Sequence, residues 1–177
     1  MSSLAIKNSR PEILAPAGSF DSVVAAVRCG ANAVYLGAKQ FSARASAQNF
    51  DLHELDSTVK YCHERGVKVY LALNTAVYDH ELKDAASLIS AAAQLGVDAL
   101  IGSDFGVISL ARKICPELSL HDSTQMGVAS LSGANAAKTL GLDRIVLARE
   151  MSANEIAKVT RDSDIETEVF VHGAHCI

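Results

Sequence analysis

One short phrase recurs along this chain of 177 residues and constrains its fold more than any other feature. Each copy has a helix-type ending, a glycine, a polar residue and then a short apolar run. Glycine is typical of a helix C-terminus because it adopts positive φ at no steric cost, and the apolar run has the length of a strand. The copies are residues 29–37 (CGANAVYLG), 95–102 (LGVDALIG) and 140–147 (LGLDRIVL), with a looser one at 65–74 (RGVKVYLALN).

Amphipathic stretches with helix start signals lie between these copies. Ser19 or Asp21 suits the N-cap of the first, and Ser152 with Glu155 fits a capping box. The predicted strands are 12–16, 33–37, 67–73, 98–102, 118–122, 144–148 and 167–172. The predicted helices are 21–29, 51–65, 80–95, 105–114, 132–140 and 152–161.

Strict alternation of strands and helices predicts a parallel sheet with right-handed crossovers. The pattern favours an incomplete (β/α)8 TIM-like barrel, because the usual barrel needs about 250 residues and this chain lacks roughly one strand and two helices. An open flavodoxin-like or Rossmann sheet remains an alternative. However, residues 15–19 (APAGS) offer one glycine where the dinucleotide fingerprint has three.

The domain organisation follows from this pattern. We expect a flexible tail over residues 1–10 and a single truncated barrel domain over 11–177. The first and last strands would each lack a neighbour, and such edges promote pairing between chains. A homo-oligomer formed through the open edges is therefore expected. A non-catalytic binding or interaction module is the corresponding alternative function.

Composition indicates an ordinary globular protein, with 49% hydrophobic residues and a net charge of −4 that gives no overall attraction to nucleic acid. The chain start lacks the apolar region of a signal peptide, and no segment reaches the ~20 apolar residues of a membrane span. We therefore expect a cytoplasmic protein without disulfides. Cys29, Cys62 and Cys115 are interpreted as small buried side chains in or beside helices, whereas Cys176 follows the last strand.

Side-chain alternation predicts which residues face the barrel interior. If Leu118 and Leu120 face the helices, His121 and Ser123 face inward, and the last strand would place His172 inward in the same way. Barrel enzymes carry their sites at the C-terminal ends of the strands. The polar residues expected to gather there are Asn74, Asp104, His121, Ser123, Gln125, Arg149, Glu150 and His172.

The roles suggested by residue type differ within this set. His121, Ser123, Glu150 and His172 are the catalytic candidates, and the remaining four would bind substrate. Any one of them could equally cap a loop. The long loop after the second strand adds Arg44 and Asn49 as substrate-binding candidates, since loops of this length often cover a substrate.

Several motifs together resemble the collagenase-like peptidases of family U32. The resemblance extends over nearly the whole chain from Pro11 onward, and its final motif resembles the start of the family signature. The motifs are residues 11–18 (PEILAPAG), 33–37 (AVYLG), 41–44 (FSAR), 49–50 (NF), 73–75 (LNT), 122–126 (DSTQM), 147–150 (LARE) and 168–176 (EVFVHGAHC).

The resemblance implies two kinds of chemistry. The family name implies a peptidase. Its candidate catalytic groups are a Ser123 nucleophile with His121 as base, or a metal held by His121, His172 and Glu150. Ser123 and His121 would stand ~6.5–7 Å apart along one strand, which is long for a hydrogen bond.

Other relatives in this resemblance are similar to iron–sulfur proteins that support hydroxylation of RNA bases or quinone precursors. They imply a 4Fe-4S cluster with Cys176 as one ligand, which this chain could not complete alone. The family continues beyond this cysteine, so the chain resembles an amino-terminal fragment. RNA or peptide is the expected substrate, and hydroxylation of tRNA or rRNA bases is the favoured function.

Overall fold

The computed structural model describes residues 10–43 and 48–173 of the protein. Within these residues, seven strands pair in chain order, all of them parallel, into one sheet. Their bounds agree with the sequence prediction to within two residues, except at the C-terminal end of the last strand. The strands are β1 (Leu14–Pro16), β2 (Ala33–Gly37), β3 (Lys68–Leu73), β4 (Ala99–Gly102), β5 (Ser119–Asp122), β6 (Arg144–Val146) and β7 (Glu166–Glu168).

Six α-helices connect the strands within the described residues, with short 3₁₀ turns at Asp79–Glu81 and Thr124–Met126. Ser19 caps the first helix, and Ser152 with Glu155 forms the predicted capping box. A second capping box joins Asp51 and Glu54. The helices are α1 (Phe20–Arg28), α2 (Leu52–His63), α3 (Leu82–Gln94), α4 (Phe105–Ile114), α5 (Leu131–Thr139) and α6 (Ala153–Asp162). None of them is long and apolar enough to cross a membrane.

The sheet curls into part of a barrel. Arg144 at the start of β6 donates a hydrogen bond of 2.7 Å to Glu12, which precedes β1. In a flat sheet the first and sixth strands would stand about 24 Å apart, so only a curved sheet brings these side chains together. The predicted incomplete (β/α) barrel is confirmed, and β1 and β7 are its two edges.

The two faces of the sheet are packed differently. The outer face supplies large aliphatic side chains, among them Leu36, Leu71 and Ile145, to a core shared with the helices. The inner face carries a smaller cluster in which Tyr70 and Ile101 are the large members and the others are alanines. Small residues leave room inside the barrel, which polar side chains from β3, β5, β6 and β7 partly fill.

The polar residue of the recurring phrase has a structural role that its sequence alone did not show. Asn32 donates its backbone N–H to the Ile13 carbonyl, and its side-chain oxygen accepts the Ile13 N–H, both at 2.9 Å. Asp98 forms the same two-bond ring with Val69, at 2.9 and 2.7 Å. Asp143 forms it with Leu120, at 2.8 and 2.9 Å.

These rings fix how each strand is aligned with the strand before it. In the looser copy the corresponding residue is Lys68, which cannot accept a hydrogen bond through its side chain and instead pairs with Glu12 at 3.2 Å. The recurring phrase therefore sets strand register as well as helix ends.

The last two strands are shorter than predicted. β6 ends at Val146 and β7 at Glu168, so the alternation of side chains does not extend to Glu150 or His172. Both of these side chains are exposed, and Val171 is 93% exposed. The seventh strand is confirmed, but its predicted end at residue 172 is wrong: β7 stops at Glu168, which is aligned with Val146, the last residue of its partner β6.

Candidate functional site

A network of charged side chains fills the N-terminal end of the barrel interior. Glu12 accepts hydrogen bonds of 2.7 Å from the Tyr70 hydroxyl and from Arg144, and one of 3.2 Å from Lys68. Arg144 also pairs with Glu166 at 2.9 Å. Burial alone would raise the pKa of Glu12, but the bonds from Tyr70 and Arg144 outweigh it and lower the pKa to about 2. We call these five residues the ionic floor.

His121 lies directly against this floor. Its ring packs edge-on against Tyr70, with 4.8 Å between ring centroids, and its Nε2 atom is 3.2 Å from the Ser119 hydroxyl. Burial, supported by the positive charge of Arg144, lowers the pKa of His121 to about 3. The imidazole is therefore neutral across the physiological range. Its inward direction agrees with the prediction, but it contacts Ser119 and not Ser123.

Asp122, which is buried, and Glu168, which is partly buried, are acids on either side of β6 that the sequence analysis did not nominate as site residues. The Asp122 carboxylate accepts a hydrogen bond from the Val146 N–H, and Val146 is aligned with Glu168 on the next strand. Burial raises the pKa of Asp122 to about 7 against the opposing effect of that hydrogen bond, and the negative charge of Glu168 contributes. Burial also raises the pKa of Glu168, partly offset by Arg144 at 3.6 Å.

The Asp122–Glu168 pair can hold a proton inside the barrel at neutral pH. The second carboxylate oxygen of Asp122 has no hydrogen-bond partner among the described residues. Burial is the main cause of the raised pKa of Asp122 and the charge of Glu168 a smaller one, so Asp122 holds a proton about half of the time near pH 7. The signal in the sequence was an aspartate at the end of a strand that is otherwise buried, within the motif of residues 122–126.

A small pocket opens at the C-terminal ends of β1, β2 and β3. Its cavity volume is about 20 Å³, and it is lined by Ala17, Gly18, Tyr35, Leu36, Gly37, Asn49, Ala72 and Asn74. Both predicted substrate-binding asparagines thus line one pocket. We call it the asparagine pocket.

The loop between β2 and α2 folds tightly onto this pocket. A Cβ atom at Gly37 would stand 2.2 Å from the Ser42 hydroxyl and 2.8 Å from the Asn49 side-chain oxygen, so only glycine fits. The Asn74 side-chain oxygen accepts the Ala43 N–H at 3.0 Å. Phe41 and Asn49 hold positive φ angles of 61° and 50°, which is uncommon for residues other than glycine.

Two other predicted residues serve as local caps. Asp104 accepts the Val107 N–H at 3.0 Å as the N-cap of α4. Ser123 is buried and its hydroxyl accepts the Gln125 N–H at 3.5 Å, beginning the 3₁₀ turn. Gln125 itself is exposed.

Arg149 lies in the segment between β6 and α6. Its guanidinium stacks on the Phe170 ring at 3.8 Å from the ring centroid. A Cβ atom at Gly173 would stand 3.7 Å from the same guanidinium, so the segment that follows β7 passes close to it. Arg149 therefore links the end of β6 to the chain that follows β7.

The remaining predictions concern Arg44, as a substrate-binding residue, and the proposed metal and cluster ligands. Arg44 and Cys176 lie outside the described residues. Among residues 10–43 and 48–173 no group of three or more His, Cys, Asp or Glu is arranged to hold a metal ion, so His121, His172 and Glu150 do not come together as a metal site. Cys29 and Cys115 follow the C-termini of α1 and α4, at the end of the barrel opposite the mouth, and Cys62 is buried within α2.

The fold and the arrangement of these side chains define a (β/α)-barrel protein with polar groups at the C-terminal ends of its strands. The chain belongs to Peptidase family U32, whose sequence profile matches residues 18–177. The resemblance predicted from the motifs is therefore confirmed.

Relatives within this similarity carry names of two kinds. The "tRNA hydroxylation protein P1" of Bacillus subtilis (strain 168) is 35% identical over 168 residues, covering 95% of this chain and 40% of that protein. The "Collagenase" of Porphyromonas gingivalis (strain ATCC BAA-308 / W83) is 34% identical over 178 residues, covering 94% of this chain and 42% of that protein. The chain thus spans about two fifths of the length of these curated relatives.

A solved structure described as "The Structure of the U32 Peptidase Mk0906" has the same fold. It aligns with a TM-score of 0.72 over 96% of this chain and 72% of that chain, at 14% identity. This likeness supports the barrel assignment.

Proposed function

We propose that this barrel belongs to a protein that supports the hydroxylation of tRNA or rRNA bases, with the base held at the barrel mouth. The observation that carries the proposal is the similarity, over 95% of the chain, to the tRNA hydroxylation protein. The position of Asn49 and Asn74 in one pocket at the mouth supports it, because amide side chains are typical partners of base edges.

The state of His121 also favours this proposal over hydrolysis. A general base is most effective when its pKa lies near the working pH, and a histidine with a pKa of about 3 is a weak base. Its Nε2 atom faces Ser119 at the floor side of the barrel, away from the mouth where a peptide would enter.

The proposal is tested by comparing the modified nucleosides in RNA from cells with and without the gene. Mass spectrometry of tRNA and rRNA nucleosides should show loss of a hydroxylated nucleoside, and a plasmid copy of the full-length protein should restore it. RNA with the same nucleoside content in all strains would refute the proposal.

The proposal includes an iron–sulfur cluster in the full-length protein, and Cys176 is the one cysteine of this chain that we propose as a ligand. The described cysteines do not fit such a site, since Cys29 and Cys115 are at the opposite end of the barrel from the mouth. The other thiolates would have to come from other parts of the full-length protein. Iron and sulfide analysis of anaerobically purified full-length protein should detect a cluster that Cys176→Ser weakens or abolishes, and a cluster-free protein would discard this component.

A collagenase-like peptidase is the second candidate, favoured by the name of the Porphyromonas relative. On this hypothesis the full-length protein cleaves gelatin. Because Ser119 and His121 are the serine and histidine in contact, Ser119→Ala should then reduce cleavage, while Ser123→Ala should not. Absence of cleavage by the unmodified protein would discard this candidate.

A further inference from the structure

A second cavity, much larger than the asparagine pocket, lies outside the barrel between helices α2 and α3. Its volume is about 430 Å³, within the range of roughly 300–1,000 Å³ that is usual for ligand sites. The end of β2 and the start of α2 form one side of it, and the first half of α3 forms the other. We call it the α2–α3 groove, and the residues that characterise it are Lys39, Phe50, Asp51, Leu52, Asp84 and Leu88.

The floor of the groove is apolar. Phe50 and Leu55 line it and are buried, with exposed fractions of 4% and 1%. Leu52 on α2 and Leu88 on α3 line its two sides, and Leu52 is 46% exposed. Covering such a surface with another apolar side chain removes it from water, which is favourable by about 25 cal/mol for each Å².

The rim of the groove carries more negative than positive charge. Among the described residues that line it, Lys39 is the one cation, and Asp51 at 2.9 Å and Glu54 at 3.1 Å already share its ammonium group. Asp84 lies in the first turn of α3, is exposed and forms no ion pair within the described residues. One cation among three carboxylates gives these four side chains a net negative charge, and the carboxylate of Asp84 is left to a ligand.

This charge narrows the class of ligand that fits the groove. RNA phosphates and anionic lipid headgroups would meet a surplus of carboxylates, so neither matches the rim. A partner that presents an apolar side chain to the floor and a Lys or Arg to Asp84 matches both features. Residues three or four positions apart on an α-helix share one face, so a helix with basic and apolar residues at this spacing supplies the two groups together.

We propose that the α2–α3 groove docks a basic amphipathic α-helix of a partner protein. An apolar side chain of that helix would cover Phe50 and Leu55, and a neighbouring Lys or Arg would pair with Asp84. Laying the apolar face of a helix into a hydrophobic groove is a common mode of peptide recognition. The site lies outside the barrel, goes beyond the proposed function and does not depend on it.

A designed peptide provides the first test. The full-length protein should bind a fluorescently labelled helical peptide of leucines and lysines, measured by anisotropy, and added salt should weaken the binding because it screens the charges. The same peptide with glutamate in place of every lysine should not bind. Failure of the lysine peptide to bind, or equal binding of the glutamate peptide, would overturn the proposal.

Asp84→Lys tests the charged contact. Repulsion would replace attraction at this position, so the lysine peptide should bind about fivefold more weakly or worse. Asp21→Lys is the matched control, because Asp21 is also an exposed acid in the first turn of a helix but lies on α1 and does not line the groove. Equal losses in the two variants would indicate general attraction to an acidic protein and would overturn the assignment.

Leu52→Ser tests the apolar contact and should weaken binding of the lysine peptide roughly tenfold. Leu140→Ser is its control, since Leu140 is also 46% exposed but follows α5. Binding that Leu52→Ser leaves unchanged would overturn the docking mode.

A second copy of the chain is the competing occupant, and sedimentation velocity distinguishes it. The proposal expects Asp84→Lys to leave the oligomeric state of the full-length protein unchanged. A dimer that this variant dissociates would show that another copy fills the groove, and the proposal of a separate partner would be overturned.

Discussion

At the scale of single residues, Asp122 shows how burial and one backbone hydrogen bond set a charge. The residue is fully buried, and the bond from the Val146 N–H does not compensate for the loss of water around the carboxylate. The groups that face it are the Val146 backbone on β6 and Glu168 on β7, with Arg144 pairing to Glu168. Asp122 is therefore half-protonated near neutral pH while exposed aspartates are ionised.

This predicts a pH-dependent stability. The pKa of Asp122 is about 7 in the folded chain and about 3.9 when unfolded, so the folded state binds more protons between these values. The contribution of Asp122 to stability is complete below pH ~4 and is lost as the pH rises through 7, by roughly 4 kcal/mol.

Urea unfolding at pH 5 and pH 8 measures this effect. The free energy of unfolding should decrease less from pH 5 to pH 8 in Asp122→Asn than in the unmodified protein, because an amide at this position stays neutral. His121 acts in the opposite sense below pH ~6.5 and is unchanged in both proteins, so the comparison isolates Asp122. An identical pH dependence in the two proteins would contradict the raised pKa.

At the scale of secondary-structure elements, the recurring phrase joins two functions in one short segment. Its glycine ends a helix, with Gly96 and Gly141 at positive φ, and the polar residue two positions later bonds the preceding strand. Each copy thus fixes the end of one element and the alignment of the next. This local device explains why the starts of β2, β3, β4 and β6, which follow the four copies, were predicted to within one residue.

Removing one ring should therefore destabilise the sheet. Asp98→Ala leaves the part-buried Val69 N–H without its acceptor, which should lower the free energy of unfolding by about 1–3 kcal/mol. Asp98→Asn should cost less, since Asn32 makes the same ring in the first copy. Urea denaturation measures both changes.

His63 provides the control for this experiment, because its Nε2 atom also contacts Asp98 at 2.9 Å. This pair is partly exposed, so His63→Ala should change stability by less than about 1 kcal/mol. If Asp98→Ala is no less stable than Asp98→Asn, the ring does not hold the strand.

At the scale of the whole molecule, the ionic floor closes one end of the open barrel. It joins the segment before β1 to β3, β6 and β7, which are distant along the sheet. The asparagine pocket lies at the other end, where the strands have their C-termini. β1 and β7 remain edges on either side of the gap.

Arg144→Met should therefore be strongly destabilising. The Arg144 side chain is 12% exposed, and its loss would leave the partly buried Glu168 without its cation and Glu12 with Lys68 alone. Breaking a buried pair in this way costs about 3–5 kcal/mol, measurable as a lower urea midpoint.

Lys39→Met is the matched control for Arg144. Lys39 also contacts two carboxylates, Asp51 and Glu54, but its side chain is 51% exposed, so the change should lower the urea midpoint much less than Arg144→Met does. Equal effects of the two variants would show that the floor does not hold the barrel together.

The sequence by itself determined the order of strands and helices, the parallel barrel and the inward direction of His121. It could do so because glycine at helix ends, apolar runs and side-chain alternation are local properties. The family motifs pointed to the relatives but did not choose between their chemistries. Asn49 and Asn74 were named as separate candidates.

Only the tertiary structure decided which of these residues meet. The curvature of the sheet brings Glu12 to Arg144 across six strands, and it turns His121 toward the floor, away from Ser123. Burial then decides charge, making His121 neutral and leaving Asp122 half-protonated near neutral pH. Such effects depend on distances between residues far apart in the chain, and no local sequence pattern records those distances.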